Sequence, residues 1–202
     1  MLENQGAKLI FFSPIKDNKL PENLDGLYFG GGYPELFAKQ LAENTNLRSE
    51  VLKKSMEGMP IYGECGGFMY LCSAIRGTDG IVYPMTGCFP FITIMFTRLK
   101  ALGYREITLT KDTLMGKCGQ TVKGHEFHYS EISGTQEDSN VKTVYKLSAR
   151  TGIKKASEGY RIFNTLGSYI HLHFGSQPEC AINFADNCLA YRDKRILTDE
   201  TE

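Results

Sequence analysis

A cysteine framed by glycines is the sharpest chemical feature of this sequence. Gly63-Glu64-Cys65-Gly66-Gly67 follows the apolar run Met59-Pro60-Ile61-Tyr62 and precedes Phe68, Met69, Leu71, Cys72 and Ile75, which recur at helical spacing. A strand-to-helix turn of this kind holds a nucleophile in a backbone conformation that is tolerated only where its neighbours lack Cβ atoms. The start of the following helix favours the thiolate. A buried structural cysteine beside two turn glycines would give the same five residues; the strand before and the helix after favour the nucleophile.

A thiol nucleophile needs a base, and the sequence offers four histidines. His171 and His173 lie in Ser168-Tyr169-Ile170-His171-Leu172-His173-Phe174, at the carboxyl end of a predicted strand, which is the edge where parallel sheets carry their sites. Their spacing sends both imidazoles to one face, an arrangement that also suits a pair of metal ligands, although no carboxylate or second cysteine lies nearby in sequence to complete the set. His125 and His128 belong to Gly124-His125-Glu126-Phe127-His128-Tyr129-Ser130, which reads as a substrate-facing segment or as a solvated strand edge. The glycine run Gly30-Gly31-Gly32 follows a strand and precedes Tyr33-Pro34-Glu35, leaving backbone N–H groups free to meet an anion. No phosphate-loop pattern occurs in the chain. The economical assignment is an oxyanion hole for Cys65 built from this loop (Gly31, Gly32) and Gly66.

Bringing these residues together takes a layered α/β sheet. Residues 8–12 and 26–29 are short apolar runs closed by turn residues, predicted as buried parallel strands, and 59–62 is a third. Between Pro34 and Gly58 the apolar spacing is helical, with Asn44 and Thr45 able to interrupt and recap. Residues 82–97, 106–110, 127–132 and 141–147 are rich in β-branched and aromatic residues and predict an antiparallel or mixed β segment added to the parallel sheet. Residues 166–172 predict a last strand, leading past Pro178 into a closing helix; 193–202 is polar and predicted as a loose tail. Residues 1–5 read as the end of a helix capped by Gly6, so the sheet is expected to lack a preceding strand.

Composition narrows the function. With 202 residues, 42% of them hydrophobic, a single domain with one core is expected. The 23 basic residues balance 23 acidic ones, which argues against nucleic acid, and no apolar run approaches the ~20 residues that span a bilayer. Six scattered cysteines, no C-x-x-C pair and no secretory signal predict free thiols in the cytoplasm. A small-molecule or protein partner is left.

Along nearly its whole length the chain resembles the C-terminal glutamine amidotransferase domain of the cobyrinic acid a,c-diamide synthases, in the cobyric acid synthase-like subclass. The resemblance is carried by Asp25 to Phe37, Ile61 to Leu71, Leu102-Gly103-Tyr104-Arg105-Glu106, Gly124 to Ser130 and Ser168 to Phe174, five motifs in order. It implies a class I, flavodoxin-like layered fold and a glutaminase in which Cys65 attacks the glutamine amide, with His171 as base. Many class I glutaminases carry Glu two residues after that histidine; here the position is His173, so a Cys-His dyad is implied, with His173 and Glu64 in support. The resemblance further implies an ATP-binding amide synthetase domain as partner, fused or separate, which uses ATP and Mg²⁺ and receives the ammonia. This chain itself carries no cofactor or metal in that reading. Relative to the family the chain is read as truncated at its N-terminus. Tyr104, Arg105, His125, Glu126 and His128 are candidates for the surface facing the synthetase or an ammonia channel, being polar residues of motifs that the thiol chemistry does not need. The macrocycle is expected to be cobyrinic acid, with nickel-sirohydrochlorin as the alternative. A non-catalytic module that kept the fold is the rival class, ahead of a small amidase or deglycase.

Overall fold

The computed structural model describes residues 1–134, 140–148 and 157–199. In chain order its strands are β1 (Leu27–Phe29), β2 (Ile61–Glu64), β3 (Cys72–Arg76), β4 (Val82–Pro84), β5 (Phe89–Met95), β6 (Ala101–Leu109), β7 (Thr121–His128), β8 (Ser130–Ser133), β9 (Lys142–Leu147), β10 (Ser157–Ile162), β11 (Thr165–Ser168) and β12 (Ile170–Leu172). The helices are α1 (Ala38–Glu43), α2 (Thr45–Met56), α3 (Gly66–Leu71) and α4 (Glu179–Asp199). Eight strands form one mixed sheet in the order β1-β2-β11-β10-β9-β6-β7-β12, and β4-β3-β5-β8 form a second. In the larger sheet parallel pairing is confined to β1, β2 and β11; the remainder is antiparallel. The α/β architecture with an added antiparallel β segment is therefore the observed one.

The larger sheet curls. β2 and β12 are far apart in its strand order, yet the Leu172 N–H donates to the Glu64 carboxylate at 2.9 Å. The core pins the cysteine turn into this curl. Phe68 of α3 stacks on Tyr160 (5.3 Å between ring centroids) and meets Phe89 and Tyr169 edge-on at 5.6 and 5.3 Å. A Cβ on Gly167 would overlap the Phe68 ring, so β11 can approach the helix this closely only as glycine.

The predicted recap at Asn44 is present: its side chain accepts the Leu47 N–H at 3.4 Å, between α1 and α2. Four sequence readings need correction. Residues 8–12 form no strand, because no neighbouring strand receives their backbone groups. Leu9, Ile10 and Phe11 are exposed, Phe11 to 90%, and Phe12 rests edge-on against Phe29. β1 accordingly ends the sheet, and among the described residues no strand pairs with its outer edge. The helix after Cys65 stops at Leu71; residues 72–76, read as its continuation, turn extended to pair with β4 and β5. Residues 157–162 form β10, and the predicted strand 166–172 is broken at Tyr169 into β11 and β12. Finally, the predicted tail from 193 continues α4 through 199, held where Arg195 donates to the Leu24 carbonyl (2.7 Å) and to Asp25 (2.9 Å). Residues 200–202 lie outside the described residues.

Candidate active site

Cys65 sits between β2 and α3 with φ 48° and ψ −103°, a conformation that costs a side-chain-bearing residue free energy. Two backbone hydrogen bonds hold it there: its N–H donates to Ser168 O (2.7 Å) and its carbonyl accepts from Met69 N (2.9 Å). The flanking glycines let the loop after β1 lie directly on this turn. A Cβ on Gly67 would overlap Phe29 O, and one on Gly66 would stand 2.5 Å from Gly32 O and 2.8 Å from Gly32 N. The two backbone segments read as an oxyanion hole are thus in contact. Gly31 has a further part, since a Cβ there would overlap the ring of His171.

His171, half-buried on β12, lies within hydrogen-bonding reach of the Cys65 thiol, and its Nδ1 is 3.6 Å from Glu64 Oε2. The thiol hydrogen bond first and Glu64 second push its pKa up to about 9, against an opposing desolvation. His125, its register partner on β7, stacks on it with centroids 4.5 Å apart. Desolvation, and then the neighbouring His171, hold His125 below the usual histidine range. His173 lies just past β12, with its N–H on Lys123 O and its ring beside Gly175.

Glu64 is buried, and its carboxylate accepts from Tyr62 Oη (3.0 Å), Tyr28 Oη (2.8 Å) and Leu172 N. The two tyrosines are site residues that the motifs did not single out. The signal was the two-residue spacing of Tyr62 and Glu64, which puts both on one face of β2, together with the register that pairs Tyr28 with Tyr62.

The pleat divides the 124–130 motif. Tyr104 pairs with His125, which pairs with His171, so these three form one row across β6, β7 and β12, from the exposed Tyr104 to the thiol's neighbour. Arg105, Glu126 and His128 take the other face and turn inward rather than toward a partner surface. Arg105 Nε donates to Glu126 (2.7 Å), whose second oxygen meets His128 Nε2 (2.8 Å); His128 Nδ1 is 2.7 Å from Ser130 O, and its ring stacks on Tyr169. Burial works against ionisation of Glu126, but His128 and Arg105 outweigh it and keep its pKa below the usual carboxylate range. Of the five residues predicted to face a synthetase, Tyr104 and His125 are exposed, Arg105 and Glu126 are partly covered, and His128 is buried.

A narrow cleft opens at Cys65, walled by Gly32, Tyr33, Glu35, Phe127 and Tyr129, with the thiol 3.6 Å from the Phe127 carbonyl. Partial burial raises the pKa of Glu35. A separate surface recess of about 530 Å³, lined by residues from Phe11 to Pro21, holds none of these residues. Among the described residues no three His, Cys, Asp or Glu side chains cluster as metal ligands, and no helix is long and apolar enough to cross a membrane.

A family model of the CobB/CobQ-like glutamine amidotransferase domain matches residues 1–179. Cobyrinate a,c-diamide synthase of Leptospira interrogans serogroup Icterohaemorrhagiae serovar Lai is 44% identical over 188 residues, covering 93% of this chain and 41% of that protein. Its namesake in Methanosarcina barkeri strain Fusaro is 44% identical over 98% of this chain and 42% of its own length. The chain thus spans about two fifths of the curated relatives it matches. A crystal structure of a glutamine amidotransferase superposes with a TM-score of 0.58 at 19% identity, covering 83% of this chain and 80% of that one, which shows the shared fold.

Proposed function

Because the chain belongs to the CobB/CobQ-like glutamine amidotransferase domain family, we propose that it hydrolyses glutamine through a Cys65 thioester and supplies ammonia for the a,c-diamidation of cobyrinic acid. The observation that carries this reading is the strained Cys65, within hydrogen-bonding reach of His171 and overlaid by the Gly32 backbone. His171, the base of the thiol, holds the proton as an imidazolium while sulfur attacks the glutamine side-chain carbon. The oxyanion that forms is stabilised by N–H groups of the Gly31-Gly32 loop and of Gly66. His171 returns the proton to the amide nitrogen, the C–N bond breaks and ammonia leaves. Water, deprotonated by the same imidazole, then attacks the thioester, releasing glutamate and restoring the thiol. Glu35, a carboxylate on the cleft wall, suits the α-ammonium group of glutamine.

Amide formation from a carboxylate also needs activation. That step belongs, in this reading, to an ATP- and Mg²⁺-dependent synthetase domain, with Tyr104 and His125 on the side facing it and the whole assembly in the cytoplasm. Cobyrinic acid is favoured over nickel-sirohydrochlorin by the names of the relatives. The placement of the His171 ring against Gly31 and beside Glu64, the residue before Cys65, weighs against a non-catalytic module. The test is to treat the chain with a glutamine-analogue affinity label and map the adduct, then add a synthetase half and assay glutamine-dependent amidation. An adduct on Cys65 and glutamine-dependent product are expected. An adduct on Cys72 or Cys88, or amidation by this chain alone with ATP, would overturn the assignment.

A further inference from the structure

We propose that Glu64, the residue before the nucleophile, is the positioning carboxylate of His171, so that the histidine is oriented from the nucleophile's strand and not from its own; this rests on the reading of Cys65 and His171 above. A carboxylate offers about four lone-pair directions. Three of Glu64's are filled by Tyr62, Tyr28 and the Leu172 N–H, and the group left beside its Oε2 is Nδ1 of His171, at 3.6 Å. With Nδ1 turned to Glu64, Nε2 is the ring nitrogen left for the thiol, the tautomer that a base for Cys65 requires.

The clamp acts on backbone and ring together. Leu172 directly follows His171, so its hydrogen bond to Glu64 fixes the end of β12 against β2 where no ladder joins the two strands. The two tyrosine hydroxyls hold the carboxylate in turn, Tyr62 from β2 and Tyr28 from β1. The place two residues after His171 holds the exposed His173. The 3.6 Å separation exceeds a hydrogen bond, and it shortens when His171 takes the thiol proton and the contact becomes charge-assisted. The other titratable groups beside the imidazole are Cys65 and His125.

The experiment compares the wild-type chain with E64Q and Y28F, reading His171 by NMR titration, glutaminase kinetics with the synthetase half present, and thermal melting. E64Q keeps the side chain's size and one acceptor oxygen. It should move the His171 titration to lower pH and reduce kcat at least about 10-fold with a smaller change in KM. Y28F removes a competing donor from Oε2 and should move the His171 titration to higher pH. Should E64Q fail to fold, Y28F alone decides: an unchanged or lowered His171 titration there overturns the proposal. A lowered melting temperature in E64Q with His171 titrating as in wild type also overturns it, since that is the signature of a purely structural carboxylate. If wild-type Cys65 takes no affinity label, the glutaminase reading fails, while the titrations still test the contact.

Discussion

His125 lies flat against His171, ring planes 3° from parallel and centroids 4.5 Å apart, although the two histidines reach the site from antiparallel strands. Two stacked imidazoles do not readily carry charge together, and their surroundings separate their roles. His171 has the thiol and Glu64 to stabilise its cation; His125, solvent-facing but partly covered by the stacked ring, loses some hydration and meets that cation across the stack.

The two rings should therefore titrate far apart, His125 below its ordinary value of 6.5 and His171 near 9. NMR titration with His125→Phe and His171→Gln for assignment checks this; reversed order would refute it. The effect on stability has a definite sign. A histidine whose folded pKa is raised binds more protons in the folded state, so its contribution is fully present below pH 6.5 and is lost as pH rises toward 9. Urea unfolding of wild type should weaken across that window, and His171→Gln should flatten the dependence.

Gly31 and Gly30 should respond differently to alanine. A Cβ on Gly31 would overlap the His171 ring, whereas one on Gly30 makes ordinary contact with Tyr28 at 3.7 Å. Gly31→Ala is expected to keep the fold and lose at least about 10-fold in kcat by displacing the base. Gly30→Ala should stay within a few-fold of wild type. Equal kinetics for the two variants would show that the ring tolerates displacement.

Cys65→Gly should stabilise the chain while abolishing the reaction. The positive φ at this position costs a non-glycine residue on the order of 1 kcal/mol or more, and glycine relieves it. The gain is partly offset by glycine's larger unfolded-state entropy and by lost packing, so a rise in stability of about 0.5–1 kcal/mol is expected. A clear loss in denaturant melts, with the fold intact, would mean that packing of the buried thiol outweighs backbone strain.

The cysteine turn was legible because its determinants are local: glycine on both sides, a strand before, a helix after. His171 does lie beside the cysteine turn, but not at the end of a parallel strand as expected: the strand breaks at Tyr169 and His171 arrives on β12, antiparallel to β7. The support of Glu64 could not be read the same way, since its Leu172 contact spans 108 positions and arises from the curl of the sheet, which no local pattern encodes. β10 escaped notice because Glu158 sits inside it as a buried carboxylate. That residue accepts from Ser168 Oγ (2.6 Å) and Tyr169 N (2.8 Å) and so shapes the break that delivers His171. Desolvation pushes its pKa up to about 7. Residues 8–12 show the converse error: apolar content alone predicts a strand, but a strand exists only where another receives its hydrogen bonds.

The outer edge of β1 leaves a row of backbone donors and acceptors that no described strand takes up. Three uncharged residues, Leu27, Tyr28 and Phe29, present that edge, and neither a lysine nor a proline within the strand deters pairing. Leu9, Ile10 and Phe11 add exposed apolar side chains. An unpaired edge of this kind offers its backbone groups to other chains, so self-association is expected to rise with protein concentration whether or not Cys65 is reactive.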